Sequence, residues 1–232
     1  DTGDLKVVMD LPLALTEVSG IETDKNSNLI WMVNDSGNAP VLYGLDLNGN
    51  IIKALNINAK NRDWEDLTTD DKGNIYIGNF GNNDNDSKGL SILKISKDLL
   101  YSEAKKITPE VIWFSYPEQE KFPPKKKDRH FDCEAFFYLN NALYLFTKSR
   151  SPKEEGKTNL YQLPTKKGTY KAKRLDTFNT CNKSECWVTS ADINDNGTKM
   201  ALLTENSVFV FSDIKGANFF KSKHKRYTFK YN

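Results

Sequence analysis

The chain has 232 residues, with Lys+Arg 33 against Asp+Glu 31, a formal charge of +2, and a hydrophobic fraction of 38%. So even a balance excludes nucleic-acid binding driven by net charge, and the apolar content supports a packed core rather than a disordered chain. No apolar run reaches the roughly 20 residues of a membrane-spanning helix.

In chain order, residues 5–9 read as a lone strand, Leu5 to Met9, ahead of a repeat. The first unit starts with Val18-Ser19-Gly20-Ile21. It turns at Asp24-Lys25-Asn26-Ser27 into the apolar run 29–33 and closes on Asn34-Asp35. Strands at 41–46 and 51–57, joined by Asn48-Gly49, complete it. The second unit runs Trp64-Glu65-Asp66-Leu67, a turn at Asp70-Asp71-Lys72-Gly73, then 75–79, 90–95 and 111–114. A Pro- and Lys-rich stretch at 117–127 reads as an inserted loop. The third unit is Cys133-Glu134-Ala135-Phe136, a turn at Asn140-Asn141, then 143–148, 159–163 and 170–175. The fourth is Ser190-Ala191-Asp192-Ile193, a turn at Asp195-Asn196-Gly197, then 200–204, 208–211 and 227–229.

Gly- and Asn-containing turns of this kind supply the positive φ of tight hairpins. A four-strand unit repeated at this spacing is the size of a propeller blade. The second strand of each unit is apolar without alternation, as expected of a strand covered on both faces by neighbouring blades. No segment shows a 3.6-residue apolar period, so little helix is expected. The fold class is all-β, a β-propeller forming one domain over residues 1–232.

In a propeller the first strand of each blade lines the central channel. The residues one before the alignment point are Ser19, Glu65, Glu134 and Ala191; at that point are Gly20, Asp66, Ala135 and Asp192. Two glutamates aimed at one axis repel unless protonated or bridged by a cation. Oxygen ligands suit Ca²⁺, so Glu65 and Glu134 are the expected metal ligands, with Asp66 and Asp132 beside them. The competing expectation is that backbone amides and Lys148 neutralise these carboxylates. A ligand-binding face is expected around Asn34, Asp35, Trp64 and Asn79, with His130 and Lys148 at the channel mouth. Cys181 and Cys186 enclose a short polar loop that reads as a local disulfide, or as two free thiols. Residues 192–203 open like a calcium-binding EF-hand loop, but Leu203 stands where a bidentate Glu is required, which rules it out. No Gly-x-Ser-x-Gly elbow is present, and there are two histidines, His130 and His224.

The pattern Val18-Ser19-Gly20-Ile21, Asn34-Asp35, 42–46, Trp64-Glu65-Asp66-Leu67 and Cys133-Glu134-Ala135 resembles the SdiA-regulated (YjiK-like) family of bacterial propellers, related to NHL-repeat and phytase-like propellers. The resemblance implies a five-bladed ring, here four complete units and an incomplete closing blade. It also implies export to the periplasm or cell surface, with a lipid anchor ahead of residue 1 compatible with that, and a calcium site. The function expected is a non-catalytic exported module that binds a small polar ligand, a glycan or a protein on its face; the alternative is a Ca²⁺-dependent hydrolase of a phosphoester or lactone. Neither nucleic acid nor a membrane span is expected.

Overall fold

In a computed structural model that describes residues 2–3, 6–23, 27–181 and 183–229, the chain forms four antiparallel β-sheets arranged as propeller blades. A short strand, β1 (Thr2–Gly3), precedes blade 1, which is built from β2 (Val18–Thr23), β3 (Ile30–Asn34), β4 (Val41–Leu45) and β5 (Ile51–Ile57). Blade 2 uses β6 (Trp64–Thr69), β7 (Ile75–Asn79) and β8 (Leu90–Ile95). After the single turn of α1 (Lys97–Leu100) comes β9 (Lys106–Ile107), and then β10 (Glu110–Ser115) completes blade 2. Blade 3 holds β11 (Asp132–Leu139), β12 (Ala142–Lys148) and β13 (Lys157–Pro164), then, after β14 (Gly168–Lys171), β15 (Lys173–Asn179). Blade 4 is β16 (Val188–Ile193), β17 (Lys199–Thr204), β18 (Ser207–Ser212) and β19 (Lys223–Phe229).

Three short strands lace neighbouring segments by parallel pairing. β9 joins β5 of blade 1, β14 joins β10 of blade 2, and β1 joins β19 of blade 4. The expected strand 170–175 is therefore two strands: Ala172, buried, marks the point where the chain leaves blade 2 for blade 3. Of the lone strand expected at 5–9, residues 6–9 are not strand, and Val7 and Val8 are exposed. Leu5 and the turn at 24–26 lie outside the described residues.

Apolar layers lie between successive blades. Trp31, Leu42, Trp64 and Ile77 pack between blades 1 and 2, Phe80, Phe136 and Leu145 between 2 and 3, and Phe137, Phe146, Phe211 and Phe219 between 3 and 4. Each fully buried side chain of this size contributes about 1.5–3 kcal/mol by leaving water. β7 and β12 are buried along their whole length, as continuous apolar runs between two blades should be. β17 departs from that expectation: its residues alternate, and Leu203 is 37% exposed, because no blade among the described residues packs on that side.

The inner strands pack side by side in the order β2, β6, β11, β16. Their approach is close. A Cβ on Gly20 would stand 2.9 Å from the backbone of Asp66, so only glycine fits there. All four inner strands carry a β-bulge at the same place, between Val18 and Gly20, Trp64 and Leu67, Cys133 and Ala135, and Val188 and Ser190. A bulge leaves a residue out of the ladder and re-aims its side chain. The residues so released are Ser19, Glu65 with Asp66, Glu134 and Thr189, which moves the fourth unit two residues from the alignment expected at Ala191.

Asp66 knits three blades. Its carboxylate accepts the Leu67 amide at 2.9 Å within β6, the Phe136 amide of β11 at 3.1 Å, and the Ser190 hydroxyl of β16 at 3.4 Å. Burial pushes its carboxyl well above the ordinary range while the two amides pull it down. Asp66→Ala should destabilise the fold by about 1–3 kcal/mol, because it strands buried amide donors. Asp66→Asn, which keeps one acceptor oxygen, should cost less; denaturant unfolding of the two variants checks the order.

Candidate metal centre

Three carboxylates meet at one end of the inner strands. Glu65 is delivered by the bulge in β6, Asp35 follows the end of β3, and Asp63 lies in the connection between β5 and β6. One oxygen from each lies within 4.8 Å of the other two. The two loop acids are held by asparagines. Asn61 donates to the backbone carbonyls of Asn34 at 3.0 Å and Asp35 at 2.8 Å, while Asn79 accepts the amides of Arg62 at 3.1 Å and Asp63 at 3.4 Å. Gly81 closes the back of the site. A Cβ there would lie 2.2 Å from a Glu65 oxygen and 2.3 Å from an Asp63 oxygen, so the carboxylates rest directly on its α-carbon.

Glu65 is 8% exposed, yet among the described residues no hydrogen-bond donor or cation reaches its carboxylate. Burial, and then the charge of Glu134, push its pKa up to about 11. Asp63 is raised to about 6, first by burial. The remaining acids of the cluster are answered by the protein. Asp132 accepts Arg150 Nε at 2.7 Å and the Asn82 amide at 2.7 Å. Glu134 accepts Lys148 Nζ at 3.0 Å and lies 3.4 Å from Arg150, although burial and Asp132 still push its pKa up to about 8 against the pull of Lys148. Trp187 lies over both cations, 4.9 Å from Lys148 and 4.8 Å from Arg150. Five carboxylates against two cations leave the cluster short of positive charge. A buried, donor-free carboxylate flanked by two more is the oxygen donor set that hard divalent cations take.

The structure thus divides the residues expected to bind metal. Glu65 joins Asp35, which the sequence placed on the ligand face, and Asp63, which sequence reasoning missed. Asp132 and Glu134 stand beside the trio as ion-paired neighbours, and Asp66 is taken up by backbone amides. Asn79 positions the Asp63 loop. Asn34 is also buried and structural: its amide donates to the Ala14 carbonyl at 2.8 Å, anchoring the segment ahead of β2. Trp64, expected on the ligand face, is instead wholly buried in the core between blades 1 and 2. His130 lines a separate cavity rather than the trio, held by Ser149 at 2.9 Å and Glu154 at 3.2 Å. Arg150 and Trp187 were also missed, since nothing local marks them. Asp63 had a signal, because it directly precedes Trp64-Glu65 in a first strand already assigned to the channel. Cys181 and Cys186 are joined by a disulfide that closes the loop leading into Trp187.

No family model and no curated protein matches the chain. Among solved structures it is similar to a streptogramin B lyase, at 14% identity over 94% of this chain and 56% of that one, with a TM-score of 0.48. A virginiamycin B lyase from Staphylococcus aureus follows at 12% identity over 93% and 56%, with a TM-score of 0.46. Hydrazine synthase from Kuenenia stuttgartiensis stands at 11% over 85% and 46%, also with a TM-score of 0.46. The chain spans about half the length of these structures. The propeller fold rests on the sheet topology above, and no activity is taken from such distant likenesses. These results correct the expected kinship with the SdiA-regulated, NHL-repeat and phytase-like propellers: no family model matches, and the similar solved structures carry other names. The short motifs that suggested it are hairpin turns and inner-strand acids, which the geometry of a blade asks for on its own.

Two outcomes follow from this geometry. An unfolded glutamate loses its proton near pH 4.5, whereas folded Glu65 keeps it to about pH 11. Across that window the folded state binds more protons, so the metal-free protein loses stability as pH rises. Its melting temperature should fall between pH 5 and pH 8, and Glu65→Gln should flatten the profile and raise the value at pH 8. A carboxylate with a structural role would show the reverse on substitution. Gly81→Ala should weaken divalent-cation binding at least tenfold by displacing two carboxylates; calorimetric titration with Ca²⁺ measures it.

Proposed function

We propose that the protein is an exported, divalent-cation-dependent hydrolase of a small phosphoester or lactone, with Ca²⁺ as the cation held by Asp35, Asp63 and Glu65. The observation that carries the reading is Glu65, buried without a donor between two other carboxylates. Three protein carboxylates fill only part of a six-to-eight-oxygen shell, and Asp35 and Asp63 are half-buried rather than sealed, so positions are left for water and substrate. A cation at this place supplies polarisation of a phosphoryl or carbonyl oxygen and a more acidic water. Glu134, held above the ordinary carboxylate range, is suited to exchange a proton near neutral pH. Arg150 and Lys148 keep Asp132 and Glu134 compensated while the trio is loaded. Export is supported by the Cys181–Cys186 disulfide, a bond favoured in oxidising compartments.

The second reading is a non-catalytic propeller that binds a small polar ligand, glycan or protein over the same ion. The internal pairing of both Lys148 and Arg150 favours it, because neither cation is free to clamp a substrate. The incomplete closing blade expected beside the four complete units belongs with either reading; placed between β16 and β2 it would cover Leu203 and Ile21, which are 37% and 55% exposed.

Titration with Ca²⁺, Mg²⁺ and Mn²⁺, followed by turnover of phosphomonoester, phosphodiester and lactone panels, separates the readings. The hydrolase account expects saturable binding of one ion and metal-dependent turnover, both lost in Asp63→Asn and Glu65→Gln. Binding without turnover would leave the non-catalytic module, and no binding would overturn both.

A further inference from the structure

A cavity of about 470 Å³ opens between the loop that follows blade 2 and the outer strands of blade 3. That volume lies in the range of small-molecule sites. Lys157, Asn159 and Tyr161 are alternate residues of β13 and line it together; Arg174 of β15, paired in register with Tyr161, joins them. The opposite wall comes from the loop, whose Lys121, Lys125 and Lys127 lack a carboxylate partner among the described residues.

Asn159 decides what the cavity accepts. It is 3% exposed, and its Oδ1 accepts the Arg174 guanidinium at 3.0 Å and the Thr177 hydroxyl at 2.9 Å. Arginine only donates, which fixes the carbonyl end of the amide against Arg174. The Nδ2 end is left lining the cavity with no acceptor among the described residues. That donor is left open to the cavity, beside the Arg174 guanidinium, which forms no ion pair with a carboxylate among the described residues. Guanidinium and amide side by side form a donor pair for a planar or tetrahedral oxyanion. His130 lines the same cavity and is held below its ordinary pKa, first by burial and then by Lys157, so at neutral pH it adds no charge.

The lining is not uniformly basic. Glu118, which accepts the Tyr161 hydroxyl at 3.3 Å, and Glu120 also face the cavity. Carboxylates in an otherwise cationic site repel a bare polyanion but accept hydrogen bonds from hydroxyl groups. We propose that this cavity binds a sugar bearing one phosphate or carboxylate group, with the anion on Arg174 and the Asn159 amide and the sugar hydroxyls on Glu118 and Glu120. It is a site distinct from the acidic trio and does not depend on the metal.

The test is calorimetric titration in EDTA, so that the trio cannot contribute, with glucose 6-phosphate, glucuronate and glucose as separate probes. The expected result is saturable binding of one or both anionic sugars, weakened by added salt, with glucose at least tenfold weaker. The stronger of the two anions identifies the group recognised. Arg174→Gln, at an exposed position that leaves the core untouched, should weaken binding at least tenfold. Asn159→Asp keeps the acceptor for Arg174 but replaces the amide donor with a negative charge, and should do the same in a protein whose melting temperature confirms folding. Equal binding of glucose, unchanged binding in Arg174→Gln, or no binding of either anionic sugar would overturn the proposal and leave the metal centre unaffected.

Discussion

The structure depends on how closely four inner strands are drawn together. Where a methyl group on Gly20 would already collide with the backbone of Asp66, the side chains of these strands are removed from water whatever their chemistry. Apolar ones gain from this, and Trp64, Cys133 and Phe136 are wholly buried as a result. Carboxylates do not, and a buried acid must find donors, find a cation, or keep its proton.

The inner-strand acids show each solution in turn. Asp66 takes backbone amides from two strands and so becomes a joint between blades 2 and 3. Asp132 takes the Arg150 guanidinium and Glu134 the Lys148 ammonium, and the two cations share the face of one indole. Glu65 receives none of these. It is aimed by a bulge toward Asp35 and Asp63, two further acids whose loops are held in place by Asn61 and Asn79. An arrangement that spends Asn61, Asn79 and Gly81 on gathering three carboxylates is one in which a cation completes the electrostatics.

Much of the architecture was legible in the residues. Turn residues such as Gly49, Gly73, Asn140 and Gly197 do adopt positive φ, and the uninterrupted apolar runs of β7 and β12 mark strands covered on both faces. The lacing strands β9 and β14 were not legible, because a two- to four-residue parallel pairing leaves no periodic trace. Glu65 could be assigned to the channel because blade periodicity alone aligned it with Glu134. Its partners could not. Asp35 and Asp63 come from outside the repeated columns, and loop folding rather than periodicity brings them in. Column position set Glu65 ahead of Asp66, but nothing in the sequence shows where Asp66, the adjacent acid on the same strand, is used. The bulge sends one to the backbone of the next blade and the other into the cluster. Trp64 was misassigned for a related reason: an aromatic at the start of an inner strand reads equally as a ligand platform or as core, and the contact with Trp31 and Leu67 makes it core.

The central claim is that Glu65 holds a proton in the metal-free protein and yields it to a cation. Calorimetric titration of Ca²⁺ at pH 6.5 in buffers of different ionisation enthalpy counts the protons released on binding. The account predicts release of about one proton per ion, since ligating carboxylates must be deprotonated, and its disappearance in Glu65→Gln. Binding heats that are the same in every buffer would show a site already ionised, and would contradict the account.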